Sequence, residues 1–242
     1  MVDLQALQRS VGVRHEAVRE RIARAAERAG RDPREIAIVG VTKGFGPEAV
    51  VAAAAAGIRA VGENRVQEAR SKKPLALDLL AGAPGLEPPA WRLIGHLQSN
   101  KAGLACELFD WIDAVDSLDL AVLLSRRAVA QARTLRVLVE VKLAPEDTKY
   151  GASPAAAVDL VPAIAALPGL EVGGLMTVAP LGAPARPAFR ALAALRSRLA
   201  TTMGAPLPHL SMGMSGDFEE AIEEGATLLR LGTVLFGARP GG

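Results

Sequence analysis

Apolar positions follow two rhythms along the 242 residues. At the amino-terminal end, Leu4, Leu7, Val11, Val18, Ile22 and Ala25 recur three, four or seven apart, with Arg and Glu between them. That spacing predicts an amphipathic helix, ended by Gly30 and followed by Pro33. Beyond it, short β-rich apolar runs alternate with helical stretches. The runs cover residues 35–43, 58–63, 91–96, 111–116, 135–142, 170–178, 209–214 and 228–236. The helical stretches cover residues 47–56, 66–80, 101–108, 118–132, 154–167, 185–202 and 217–224. Strands that are apolar throughout are buried on both faces, as in a parallel sheet covered by helices. Eight strands alternating with helices in a chain of this length predict an α/β protein: a single-domain (β/α)8 TIM barrel with an extra N-terminal helix. No linker or composition shift divides the chain, so one domain over 1–242 is expected, with 1–30 as a helix packing on the barrel. The Gly/Pro-rich stretches at 81–89 and 180–187 read as loops. A doubly wound sheet is the competing architecture. Its dinucleotide fingerprint would follow the first strand, where Gly44-Phe45-Gly46-Pro47-Glu48-Ala49 supplies two glycines, lacks the third and is interrupted by proline.

Composition narrows the picture. Half of the chain is hydrophobic while aromatics make up 3%, so the core is aliphatic. The net charge of +2 is small and Arg is interleaved with Asp and Glu, which argues against a nucleic-acid partner. Cys106 is the single cysteine, so no intrachain disulfide can form and a reducing compartment fits. Within an apolar helical stretch it reads as a buried structural thiol. Charges at Asp3, Arg9, Arg14, His15, Glu16 and Arg19 exclude a signal peptide, and the apolar stretch at 49–58 is too short to span a bilayer. A soluble cytoplasmic protein without a metal site is expected.

Lys43 ends the apolar run Ile36-Ala37-Ile38-Val39-Gly40-Val41-Thr42. It is either a snorkelling strand-end lysine or an amine at a cleft, where desolvation and neighbouring cations free it to attack a carbonyl. In a barrel, the strand carboxyl ends share one mouth. Glu63-Asn64, His96, Gln98, Asn100, Asp116-Ser117, Lys142, Thr177, Ser215 and Thr233 fall at those ends with Lys43. Barrels also bind phosphate at the last two units. Here the seventh strand runs into Met214-Ser215-Gly216-Asp217, and the eighth contains Arg230-Leu231-Gly232-Thr233. Ser215 or Asp217 can equally cap the next helix. Arg230, a permanent cation in an apolar strand, needs a partner: a ligand's ring nitrogen or phosphate, or a nearby carboxylate. A lysine able to form a Schiff base, a phosphate site and an arginine together suit one aldehyde phosphate, pyridoxal 5′-phosphate (PLP).

The motifs are specific. Val41-Thr42-Lys43, Gly62-Glu63-Asn64-Arg65-Val66-Gln67-Glu68, Trp91-Arg92-Leu93-Ile94-Gly95-His96-Leu97-Gln98-Ser99-Asn100-Lys101, Gly174-Leu175-Met176-Thr177, Leu210-Ser211-Met212-Gly213-Met214-Ser215-Gly216-Asp217 and Arg230-Leu231-Gly232-Thr233-Val234-Leu235-Phe236-Gly237 span nearly the whole chain. Through them the chain resembles the pyridoxal phosphate homeostasis proteins, which are similar to the N-terminal domain of alanine racemase. The resemblance implies a TIM barrel with PLP as a Schiff base on Lys43. It further implies that Ser215, Gly232 and Thr233 hold the phosphate, that Arg230 faces the pyridine nitrogen and that Asn64 lies beside the cofactor. Val141-Lys142-Leu143 departs from the Asn-containing strand end of many relatives, so Lys142 is taken as a rim charge, while Thr148-Lys149-Tyr150-Gly151 keeps the turn that follows. Many relatives have proline where His96 stands, so no role is assigned to it.

An arginine beside the pyridine nitrogen leaves it no lasting proton, because guanidinium keeps its own proton up to pH ~12. The ring is then a weak electron sink. The resembled racemases compensate with two bases, the second a tyrosine from another domain of a partner subunit. This chain ends just after its eighth strand, so that domain and its dimer arm are not expected, and a monomer is favoured. The only tyrosine is Tyr150. The leading expectation is therefore a non-enzymatic carrier or regulator of PLP, with apo PLP enzymes as recipients. The alternatives are a PLP-dependent amino-acid racemase using Tyr150 or His96, and a Schiff-base aldolase using Lys43 without PLP.

Overall fold

Why the apolar runs are continuous becomes plain in the computed structural model, which describes residues 3–143, 150–180 and 182–239. Eight parallel strands close into a barrel in sequence order: β1 (Ala37–Val41), β2 (Ala60–Glu63), β3 (Ala90–Leu93), β4 (Trp111–Val115), β5 (Leu135–Glu140), β6 (Leu170–Met176), β7 (His209–Ser211) and β8 (Leu228–Leu231). β8 pairs back onto β1 with Val39 opposite Arg230. The outer layer is α2 (Glu48–Ala55), α3 (Val66–Ala81), α4 (Ala102–Leu108), α5 (Leu118–Ala130), α6 (Pro154–Ala165), α7 (Arg186–Met203), α8 (Phe218–Glu223) and α9 (Thr233–Phe236). Side chains alternate between this layer and the lumen. In β8, Leu229 and Leu231 join the large core under the helices, whereas Leu228 joins Ala114, Leu138 and Met176 in a separate small cluster.

The first helix, α1 (Leu4–Arg28), forms as its spacing predicts and buries Val11, Val18, Ile22, Ala25 and Ala26. It packs on α2, α8 and α9. Arg21 clamps Glu219 through Nε and Nη2 at 2.9 and 3.1 Å and lies over the Phe218 ring. Arg31, just past the helix, donates to the carbonyls of Ile222 and Ala226. Among the described residues no helix is long and apolar enough to cross a membrane.

One element differs from expectation. Residues 228–236 read as one strand, but β8 stops at Leu231 and residues Thr233–Phe236 form α9. A short apolar run does not distinguish strand from helix. Gly232, with φ −113° and ψ −83°, breaks the strand, and Leu235 and Phe236 pack inward from the helix.

The adjacent glycines of β6 solve two packing problems. A Cβ on Gly173 would lie 2.7 Å from the Trp111 ring, and one on Gly174 would lie 1.9 Å from the His209 carbonyl oxygen. The β5–β6 register shifts at this point, so Gly174 sits in a bulge with φ +150°. Gly174→Ala should cost roughly 3 kcal/mol, read as a lower urea midpoint; a variant as stable as the parent would show that the bulge relaxes freely.

Candidate functional site

The strand carboxyl ends open onto a cavity of about 430 Å³. Lys43, Asn64, Ser215, Arg230, Gly232 and Thr233, all expected from sequence, line it together, with Phe45, Ile94, Val178 and Arg239 among their neighbours. Lys43 lies two residues beyond the end of β1, where inward-facing Val41 and Lys43 share the strand's alternation. Burial lowers its ammonium pKa, and the charges of Arg239 and Arg230 lower it further against the opposing pull of Glu68 and Glu63. A larger share of the amine is thus neutral and nucleophilic.

Arg230 is 4% exposed. Its Nη1 donates to Ser211 Oγ and its Nη2 to the Thr177 carbonyl, both at 2.8 Å. The partner left open by the sequence is therefore a hydroxyl and a backbone carbonyl. Asp113, Glu140 and Asp217 support the cation electrostatically, while burial pulls its pKa below the ordinary arginine range.

The loop after β7 reaches α9. Ser215 Oγ accepts from the Val234 amide at 3.4 Å, and Asp217 Oδ1 accepts from the Met214 amide at 2.6 Å. Asp217 stands at the N-cap of α8 without a side-chain capping bond. Neither residue caps that helix; both shape the loop that faces the first turn of α9. There the leading amides of a helix have no intrahelical acceptor. The nearest atoms that a Cβ on Gly232 would meet are those of Val41, at an ordinary 3.5 Å. Packing within the chain does not demand glycine there, which leaves the cavity as the neighbour that a side chain would intrude upon.

A second cavity of about 220 Å³ adjoins the first and shares Asn64, Ile94 and Val178 with it. His96, Glu140, Lys142 and Tyr150 line it. His96 stacks on Tyr150 at 3.6 Å between centroids and 9° between planes. Its Nδ1 lies 3.7 Å from Asp116 Oδ2 and has no hydrogen-bond partner among the described residues. Thr148 and Lys149, the rest of the expected turn, lie outside the described residues. Gly95 holds the two cavities' shared wall in place, because a Cβ there would come within 2.5 Å of the Asn64 carbonyl oxygen.

Glu140 is a titrating group in the wall of the second cavity. Burial drives its carboxyl from 4.5 to about 7, with Asp116 adding to the shift and Arg230 opposing it. The folded state binds this proton more tightly than the unfolded chain. Its stability contribution therefore falls as pH rises from 4.5 to about 7 and is flat above. In the unloaded protein, Glu140→Gln should exceed the parent's stability by about 1–3 kcal/mol at about pH 8 and converge with it near about pH 5. Urea midpoints at both pH values check this; an equal difference at both would contradict it.

Other expected mouth residues face elsewhere. Glu63, at 0% side-chain exposure, points outward to Lys72 of α3, because strand alternation turns it away from Asn64. Ser117 caps α5 through the Leu120 amide, and Thr177 Oγ1 donates to the Val141 carbonyl. Gln98 and Asn100 are exposed. Arg239 and the Glu63–Lys72–Glu68 cluster were not anticipated. The second had a signal: Glu68 and Lys72 are four apart, and Lys72 falls on the buried stripe of Val66, Ala69, Ala76 and Leu80. Among the described residues, no group of three or more His, Cys, Asp or Glu side chains is arranged to hold a metal ion.

Residues 13–240 match the family described as "Alanine racemase, N-terminal domain". The "Pyridoxal phosphate homeostasis protein" of Aquifex aeolicus is 42% identical over 225 residues, covering 92% of this chain and 95% of that one. The protein of the same description from Escherichia coli K12 is 39% identical, covering 92% and 94%. PipY of Synechococcus elongatus, solved with PLP bound, superposes with a TM-score of 0.78 at 38% identity, covering 89% of this chain and all (100%) of that one. With its closed barrel, its N-terminal helix and these likenesses along its length, the chain belongs to the alanine racemase N-terminal domain family and, within it, to the pyridoxal phosphate homeostasis proteins.

Proposed function

We propose that this protein binds pyridoxal 5′-phosphate through a Schiff base on Lys43 and takes part in intracellular PLP homeostasis, holding and releasing the cofactor. The observation that carries this reading is the single cavity in which a desolvated lysine, a buried arginine and the Ser215 and Gly232–Thr233 segments converge. Its volume of about 430 Å³ is of the size that encloses a small cofactor. PLP supplies an aldehyde that condenses with an amine, and a phosphate that needs donors.

Each residue has a task in this reading. Lys43 Nζ presents a partly neutral amine to the aldehyde carbon. The Ser215 hydroxyl and the amides at the start of α9 donate to the phosphate, with Gly232 leaving room for it. Arg230, fixed by Ser211 and Thr177, presents a guanidinium towards the ring nitrogen and leaves that nitrogen unprotonated. Asn64 walls the ring side. An unprotonated ring withdraws electrons poorly, which favours holding the cofactor over carbanion chemistry. His96 and Tyr150, the bases a racemase would require, are stacked on one another in the adjoining cavity. Apo PLP enzymes are the proposed recipients.

The test is delivery. Loaded protein, freed of unbound PLP by gel filtration, should restore activity to an apo PLP enzyme while leaving the configuration of free amino acids unchanged. Racemisation of a free amino acid that disappears in Lys43→Ala would favour the enzyme instead.

A further inference from the structure

The backbone around Lys43 is held from outside the barrel. Lys72 of α3 is 5% exposed, and its ammonium has three acceptors: the Thr42 carbonyl at 2.8 Å, Glu63 Oε1 at 2.7 Å and Glu68 Oε1 at 2.9 Å. The Thr42 hydroxyl donates to the same Glu63 oxygen at 2.6 Å. Glu68 Oε1 also accepts the Gly44 amide at 2.6 Å. The residues on both sides of Lys43 are thus tied to one ammonium and two carboxylates, none of which lines the cavity. We propose that Lys72, with Glu63 and Glu68, forms a positioning relay that sets where the Lys43 amine points and which charge it carries. The inference rests on the proposed role of Lys43 as the PLP lysine.

Geometry supplies the first half. The β1–β2 ladder ends at the Thr42 amide, which donates to the Gly62 carbonyl at 3.1 Å; beyond it the chain turns through Gly44, with φ +76°, and the Phe45 amide returns to the Thr42 carbonyl at 3.1 Å. A Lys43 side chain has four rotatable bonds, so its reach into the cavity depends on how firmly its own backbone is fixed. Hydrogen bonds to charged groups are the strong ones, and here they bracket the residue. Both carboxyl groups act on the Lys43 amine in the same direction, raising its pKa. The charged groups facing Lys43 are Glu63 and Glu68 on this side and Arg230 and Arg239 on the other. Burial raises the Glu63 carboxyl against the pull of Lys72. Burial also raises Glu68, but Lys72 and the Gly44 amide outweigh it and leave that carboxyl below its ordinary value. Glu68 therefore stays ionised and keeps part of the Lys43 proton in place. This account also gives a physical reason for the Gly62–Glu68 motif: Gly62 and Asn64 face the lumen, and Glu63 and Glu68 serve the relay.

Two variants separate position from charge. Glu68→Gln keeps an acceptor for the Gly44 amide and removes the charge. Lys72→Met removes the tie to the Thr42 carbonyl. In the unloaded protein, competitive acetylation with acetic anhydride and peptide mapping reads the pH midpoint of the Lys43 amine. Stopped-flow absorbance reads the rate of PLP uptake at the high-pH plateau. Glu68→Gln should move the midpoint to lower pH with the plateau rate kept. Lys72→Met should slow plateau uptake about tenfold, the loss of one charged hydrogen bond. Folded variants with the parental midpoint and the parental rate would overturn the relay. Should Lys72→Met fail to fold, the Glu68→Gln midpoint decides alone. A parent protein that takes up no PLP on Lys43 would refute the proposed function instead, and the acetylation midpoint would still judge the relay.

Discussion

Lys43→Ala should abolish the visible absorption of the PLP-loaded protein and weaken PLP retention about a hundredfold or more. In the proposed site the cofactor is tethered at two ends: a covalent link at its aldehyde and donors at its phosphate. Linked contacts multiply, so losing one leaves only the other's modest affinity. The residual binding should respond to inorganic phosphate, which competes for the α9 cradle. Lys43 makes no hydrogen bond among the described residues, and burial disfavours its charge. Its truncation should therefore leave the barrel folded. Equilibrium dialysis and absorption spectra check both halves. A variant that keeps the visible band would place the link on another lysine, and one that is folded yet binds no PLP would remove the phosphate anchor.

Asp113→Ala should destabilise the protein by about 3–5 kcal/mol, lowering the melting temperature by about 10 °C in a chain of this size. Asp113 accepts from Arg92 Nε and Nη2, both at 2.9 Å, and the two side chains are 0% and 5% exposed. The pair lies in the barrel lumen, where Arg92 also rests over the Trp111 ring at 4.1 Å. Removing the carboxylate strands a permanent cation without water. Removing both charges avoids that penalty, so Arg92→Leu/Asp113→Leu should lose less than Asp113→Ala alone. Asp113 is also the leading electrostatic support of Arg230, so the single variant should loosen PLP as well. Calorimetry of both variants checks this; a single variant within about 1 kcal/mol of the parent would mean that solvent reaches the pair.

Lys43, Arg230 and the barrel were legible for one reason. Strands buried on both faces read as apolar runs, and a charge that ends or interrupts such a run stands out. What escaped depended on contacts across the sheet. Val234, Leu235 and Phe236 are as compatible with a strand as with a helix, so the α9 turn was absorbed into β8. Glu63 and Asn64 are adjacent, yet only one faces the lumen, and a shift of a single residue exchanges them. The partners of Arg230 come from β7 and from the residue after β6, one of them a backbone carbonyl that no side-chain pattern announces. The stacking of His96 on Tyr150 joins loops distant in sequence and was likewise invisible.

The central claim is that Lys43 carries the cofactor. It is tested most directly by loading the protein with PLP, reducing it with borohydride and mapping the modified lysine by peptide mass spectrometry. The account predicts phosphopyridoxyl on Lys43 alone, with the visible absorption band lost on reduction. A label on Lys72, Lys142 or any other lysine, or no label on a protein that retains PLP, would contradict it.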